Sequence, residues 1–189
     1  MDGAIVRFLN SGVGKFAPLD RLMEAFVSDY LVPVTGCLVL VGLWLYGNHA
    51  TRPLNQVITG MTTCSIGVAN IVTTIINDRV DRARPFVTND LELLFYEPTD
   101  PSFPSNAAAV GFAIATTVFF RHRKLGSWLY VLAFLWAFAR VYAGVHYPTD
   151  VIGGAAIGIV AALIIWAMFR ILAFAPRLVL RAFRWFYFA

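Results

Sequence analysis

Five apolar runs, each near the length needed to cross a bilayer, decide most of what this 189-residue chain can become. A hydrocarbon layer about 30 Å thick takes on the order of 20 residues of helix. Runs of this kind cover Tyr30–Tyr46, Leu54–Ile76, Ser105–Phe120, Leu125–Tyr142 and Val151–Phe174. Hydrophobic residues make up 59% of the chain and charged residues 14%, too little polar surface to coat a soluble globule. The expectation is an all-α, polytopic membrane helix bundle of five to six transmembrane helices, formed by one domain over 1–189. The stretch before the first run mixes apolar residues with Asp2, Arg7, Lys15, Asp20, Arg21, Glu24 and Asp29, the pattern of an N-terminal interfacial helix. It lacks a basic segment followed by an apolar one, so no cleavable signal is expected. Cys37 and Cys64 lie inside apolar runs and read as small buried residues without a disulfide or metal role.

Charge is unevenly distributed between the loops. If the Arg121-His122-Arg123-Lys124 turn is cytoplasmic, antiparallel threading puts Arg52, Arg170, Arg177, Arg181 and Arg184 on the same side. That side then holds 8 of the 15 basic residues and none of the 11 acidic ones. The acidic side includes the whole 77–103 loop, and the tail Pro176–Ala189 alternates Arg with apolar residues as a segment lying on an anionic leaflet does.

Three polar clusters stand at run ends that this threading places on one face: Arg82-Ala83-Arg84-Pro85-Phe86, Phe103-Pro104-Ser105-Asn106, and Arg140 with His146 and Asp150. Charges this close to hydrocarbon are costly and face a cavity, a partner or a function. Guanidinium forks match phosphate oxygens bidentately, which makes Arg84 and Arg140 candidates for one anion. Ser105 and Asn106 open a helix, whose first-turn N–H groups and dipole also favour an anion. Singly, each feature has a plainer explanation: a snorkelling Arg, a helix start at Pro104-Ser105, a first-turn carboxylate at Asp150. His146 is nucleophilic toward phosphorus, and Asp150 four residues on is placed to take the proton of its other ring nitrogen. His49 and His122 fall in turns at the other end, so no metal centre and no cofactor are expected.

These residues resemble the signatures of the type-2 phosphatidic acid phosphatase superfamily: Lys-x6-Arg-Pro, Pro-Ser-x-His and Ser-Arg-x5-His-x3-Asp. The match spans Asn77–Asp150, and Arg140-x5-His146-x3-Asp150 fits the third signature without gaps. The surrounding wording is similar to that of the small bacterial undecaprenyl-diphosphate phosphatases, while a broader phosphatase of phosphatidylglycerol phosphate or phosphatidic acid is also compatible. The resemblance implies a metal-independent reaction through a phosphohistidine. His146 would attack and Asp150 would orient it, while Arg84, Arg140, Ser105 and the Asn106 backbone hold the phosphoryl oxygens. It further implies a lipid phosphate or diphosphate as substrate, membrane lipids and no nucleic acid as partners, and an active site on the extracytoplasmic side of the inner or plasma membrane.

Three positions depart from those signatures. Ala107 stands where the second signature has its general-acid histidine, Asn77 where the first has lysine, and Ala139 where the third has serine. Arg79 or Arg82 is left to supply the lysine's charge, and Arg82 joins the expected phosphate-binding set. Two accounts of Ala107 stay open: a single replacement in an enzyme reading Phe-Pro-Ser-Asn-His-Ala-Ala, or a natural non-enzyme that kept the phosphate cradle. Loss of a general acid costs about 10² to 10⁴ in rate, so the chain is expected to bind phosphorylated lipid and turn it over slowly or not at all. The rival to a phosphatase is a carrier or sensor of lipid phosphates, which needs the cradle but no acid.

Overall fold

The computed structural model describes residues 2–172 and, over them, contains helices and loops without strands. In chain order the helices are α1 (Asp2–Asn10), α2 (Ala17–Val27), α3 (Leu31–Leu45), α4 (Arg52–Val80), α5 (Pro85–Thr88), α6 (Asn106–Phe119), α7 (Arg123–Tyr142) and α8 (Pro148–Ile171). The basic tail Pro176–Ala189 and the last residues of the fifth apolar run lie outside the described residues.

The all-α membrane bundle stands, with a looser match in helix number. Of the described helices, α4, α7 and α8 are each long and apolar enough to cross a bilayer, and α2 with α3, bent by 53°, pass the same test as a pair. At 14 residues, α6 is about 21 Å long, short of the hydrocarbon thickness. It does not need that length, because it is the hub of the bundle, packed on α4, α7 and α8. The N-terminal stretch forms two helices, α1 and α2, where one was expected; Gly14 with φ +78° sits in the turn between them.

Small residues on α6 allow this central position. Ala108, Ala109, Gly111, Ala113 and Ala115 are buried. On α8, a Cβ at Gly154 would fall 2.2 Å from the Ser105 carbonyl oxygen and one at Gly158 2.1 Å from that of Ala109. Gly154 and Gly158 are four apart, so both face α6 and bring the two backbones into contact. The neighbours of α8 are thus α6 and α4 more than α7. Away from the hub the surface is apolar and outward-facing, with Leu38, Ile71, Phe134, Ile152 and Ile171 exposed as lipid contact requires. Cys37 and Cys64 belong to this outer surface and are exposed, which corrects the expectation of buried cysteines.

The bundle has two unlike ends. At one, Arg121 Nε and His122 Nε2 meet Asn55 Oδ1 at 3.2 and 2.9 Å, and the Phe120 and Trp166 rings pack at a tilt of 38° with centroids 5.4 Å apart. At the other, the N-terminal helices lie across the 81–105 loop and the α7–α8 turn. Asn10 fastens them, its Nδ2 donating to the carbonyls of Tyr142 at 3.0 Å and Glu92 at 2.8 Å while its Oδ1 accepts from the Glu92 N–H. All 11 acidic residues belong to this second end.

Candidate active site

Each polar cluster is brought to the second end by a different local device. The α7–α8 turn passes through Gly144, at φ +77°, and Pro148 then starts α8. This leaves His146 in the turn itself, buried at 4% exposure. Arg84 precedes Pro85, which opens the short α5. Arg140 projects from the last turn of α7. Ser105 caps α6, its Oγ accepting from the Ala108 N–H at 3.5 Å, so that Asn106 and Ala107 occupy the first turn.

Arg84, Arg140, His146, Asn106 and Ala107 line one cavity of about 410 Å³. Further along α4, α6 and α7 it is lined by Ile66, Asn70, Val110 and Trp136, and its mouth carries Asp29, Tyr96 and Asp100. Arg84 Nη1 lies 3.4 Å from His146 Nε2 and donates to the Val145 carbonyl at 3.0 Å. The Arg84 Nη2 pairs with Asp100 at 2.9 Å, and Arg140 pairs with Asp29. Two guanidiniums and an imidazole therefore share one space, with both arginines held by carboxylates at its mouth.

His146 presents one ring nitrogen to the cavity. Its Nδ1 lies 2.9 Å from the Ser102 carbonyl, so the ring proton is on Nδ1 and Nε2 keeps its lone pair toward the cavity. Burial, and then the fields of Arg84 and Arg140, hold the imidazole well below its ordinary value of 6.5; the Ser102 carbonyl works the other way. The ring is neutral near pH 7.

Asp150 does not take that ring proton, contrary to the sequence expectation, and lies 3.9 Å from Nδ1. Its oxygens are already in use. Oδ2 accepts from the Ser102 hydroxyl at 2.5 Å and from the Tyr147 N–H at 2.8 Å, and Oδ1 accepts from Arg82 at 2.6 Å. It is linked to His146 through Ser102, whose hydroxyl it holds and whose carbonyl meets the ring, while also capping α8. Ser102 was missed because its main-chain carbonyl does the work, and a carbonyl leaves no mark in a sequence.

Arg82 is also reassigned. It pairs with Asp2 at 2.9 Å and Asp150 at 2.6 Å, donates to Thr149 and lies 4.1 Å over the Tyr147 ring. It faces a separate recess, not the cavity of His146, and steadies Asp150 instead of binding phosphate. Asn77, at the lysine position, donates to the Phe103 carbonyl at 2.7 Å and so ties the loop before α6 to α4. Ser105 is fully buried, its N–H donating to the Asp150 carbonyl at 2.9 Å. It supports the site from beneath and does not line the cavity. Among the described residues no cluster of His, Cys, Asp and Glu has the arrangement of a metal site.

A helix bundle with a buried, neutral imidazole facing two arginines at one membrane end defines a class of membrane phosphatase. The model of the PAP2 superfamily matches residues 59–173, and the chain belongs to that family. It is a lipid phosphatase. The undecaprenyl-diphosphatase BcrC of Bacillus subtilis is 33% identical over 142 residues, 75% of this chain and 70% of its own length. The crystal structure of Aquifex aeolicus LpxE matches with a TM-score of 0.66 at 27% identity, over 87% of this chain and 93% of that one. The PAP2-type phosphatidylglycerolphosphate phosphatase of Bacillus subtilis shares the fold, with a TM-score of 0.66 at 23% identity over 90% of this chain and 85% of that one.

Proposed function

We propose that the chain dephosphorylates a polyprenyl diphosphate of the undecaprenyl type on the extracytoplasmic face of the cell membrane. The observation that carries this reading is the convergence of Arg84, Arg140 and His146 on one cavity whose inner wall is apolar. His146 Nε2 attacks the terminal phosphorus, and Arg84 and Arg140 exchange their carboxylate partners for phosphoryl oxygens. The first-turn N–H groups of α6 add donors at the same place. Asp150 and Ser102 hold the ring and oppose the charge it gains on attack. The lipid tail leaves sideways along Ile66 and Val110. The similarity to BcrC, itself an undecaprenyl-diphosphatase, supports this substrate class. The placement on the extracytoplasmic side rests on the basic turn at Arg121–Lys124, at the end away from the site.

Ala107 lines the cavity and offers no proton, so turnover is slow in this chain. Phosphate release from a panel of lipid diphosphates and monophosphates, by this chain and by its Ala107→His form, tests the reading. An enzyme gains about 10² to 10⁴ in rate on restoring the histidine, whereas a carrier of lipid phosphates, the reading that Ala107 itself favours, gains nothing.

A further inference from the structure

Among the described residues only three buried side-chain nitrogen or oxygen atoms lack a hydrogen-bond partner: Asn70 Oδ1, Trp136 Nε1 and Arg140 Nε. All three residues line the cavity of His146. Trp136 and Arg140 are 4% and 5% exposed. They stand four apart on α7 and so share a face, with the Arg140 guanidinium 5.7 Å from the Trp136 ring centre. An indole N–H is a donor only, and burying a donor unpaired costs free energy. Two such donors on one wall mark a place for an acceptor-rich group. A half-turn of the Asn70 amide presents Nδ2–H as a third.

Their depth identifies the group. Trp136 lies one helical turn further into the bundle than Arg140, a step of about 5 Å, and Ile66 lies one turn deeper than Asn70 on α4. From the mouth inward the cavity therefore offers His146, Arg84 and Arg140 together, then Trp136 and Asn70, then apolar side chains. That order matches a terminal phosphate, a second phosphate and a hydrocarbon tail.

Resting on the phosphatase reading of His146, we propose that Trp136 Nε1–H and Arg140 Nε–H, with Asn70, seat the second phosphate of a lipid diphosphate and so select diphosphates over monophosphates. In the step this serves, the Nε2 lone pair forms the N–P bond and the bridging P–O bond breaks. Its electron pair remains on the departing lipid monophosphate, whose own ionisation lies near 6, so the missing acid at Ala107 slows this departure less than it would slow that of an alkoxide. Water then forms a bond to phosphorus and the N–P pair returns to Nε2. One water proton stays on the released phosphate and the other goes to solvent. A lipid monophosphate would instead expel an alkoxide, about as basic as hydroxide, which a site with Ala107 cannot protonate.

The test measures binding of farnesyl methylenediphosphonate and farnesyl phosphonate, two non-hydrolysable probes, to the whole chain in detergent by calorimetry. Trp136→Phe, which keeps the ring but removes the N–H, is expected to lower the ratio of the two affinities about tenfold, as losing a hydrogen bond to a charged group does. Asn70→Ala lowers the same ratio and serves if the first variant folds poorly. An unchanged ratio, or equal weakening of both probes, overturns the seat. Phosphate release by the Ala107→His form separates the two ideas. Release with an unmoved ratio discards the seat alone, and no release from any lipid phosphate discards the phosphatase reading while the ratio still judges the seat.

Discussion

The main-chain carbonyl of Ser102 receives the ring proton of His146, at 2.9 Å from Nδ1. Because this acceptor is part of the backbone, it survives any substitution at 102 and fixes the tautomer independently of Asp150. The carboxylate then contributes charge and loop order, through the Ser102 hydroxyl, the Tyr147 N–H and Arg82.

Asp150→Asn is accordingly expected to be milder than the loss of a carboxylate that fixes a tautomer directly, which costs about 10⁴. With the tautomer held by Ser102, the fall in kcat should be about 10 to 10², the range for removing one charge-assisted contact. Ser102→Ala, which deletes only the hydroxyl, should cost about tenfold or less. Single-turnover rates on a lipid diphosphate in the Ala107→His background measure both.

Burial and two nearby guanidiniums set the protonation of His146. Its folded pKa lies below the unfolded 6.5, so between those values the unfolded chain binds more protons and stability rises with pH. Below pH 6.5 the folded state loses ground progressively until the ring protonates, and above it this group adds nothing further. Ring-nitrogen chemical shifts of His146 should show the neutral ring persisting below pH 6.5. Arg140→Gln, which removes one of the two fields, should move the transition upward.

Asp100 pairs with Arg84 but has a side chain 66% exposed, so the pair is partly solvated and weak, about 0.2–1 kcal/mol. Phosphate has to displace it. Asp100→Asn is expected to tighten inhibition by inorganic phosphate by up to about fivefold, and high salt should shrink the difference. Inhibition constants at two ionic strengths check this.

Gly158 touches the Ala109 carbonyl so closely that an added Cβ would sit 2.1 Å from it. Gly158→Ala must push α8 off α6, at a cost of about 3 kcal/mol. The thermal midpoint in detergent should drop, and activity should fall with it because Asp150 and the Ser105–Asp150 hydrogen bond ride on the same helix pair.

The bundle was legible in the sequence because lipid imposes composition directly: the runs around Leu54–Ile76 and Leu125–Tyr142 have no soluble alternative. The convergence of Arg84, Arg140 and His146 was legible too, since costly charges at run ends need a shared purpose. Other features depended on distant partners. Arg82 is diverted by Asp2 and Thr149, 80 and 67 residues away, and nothing local to Arg82 announces either. Ser102 acts through its backbone. Trp136 and Asn70 sit inside apolar runs, where an aromatic reads as packing; only the absence of a partner, visible in three dimensions, sets them apart. The run Ser105–Phe120 yields only the short α6, whose Ala and Gly residues fit it for burial among helices.

The central claim is that His146 is the nucleophile, and the direct measurement is covalent labelling. The chain is incubated with polyprenyl diphosphate carrying radioactive terminal phosphate, quenched in base, digested and mapped by mass spectrometry. The account predicts a base-stable, acid-labile phosphoryl group on His146 that accumulates in the Ala107 chain and disappears in His146→Ala. Label on another residue, or no label in a form that still releases phosphate, would contradict it.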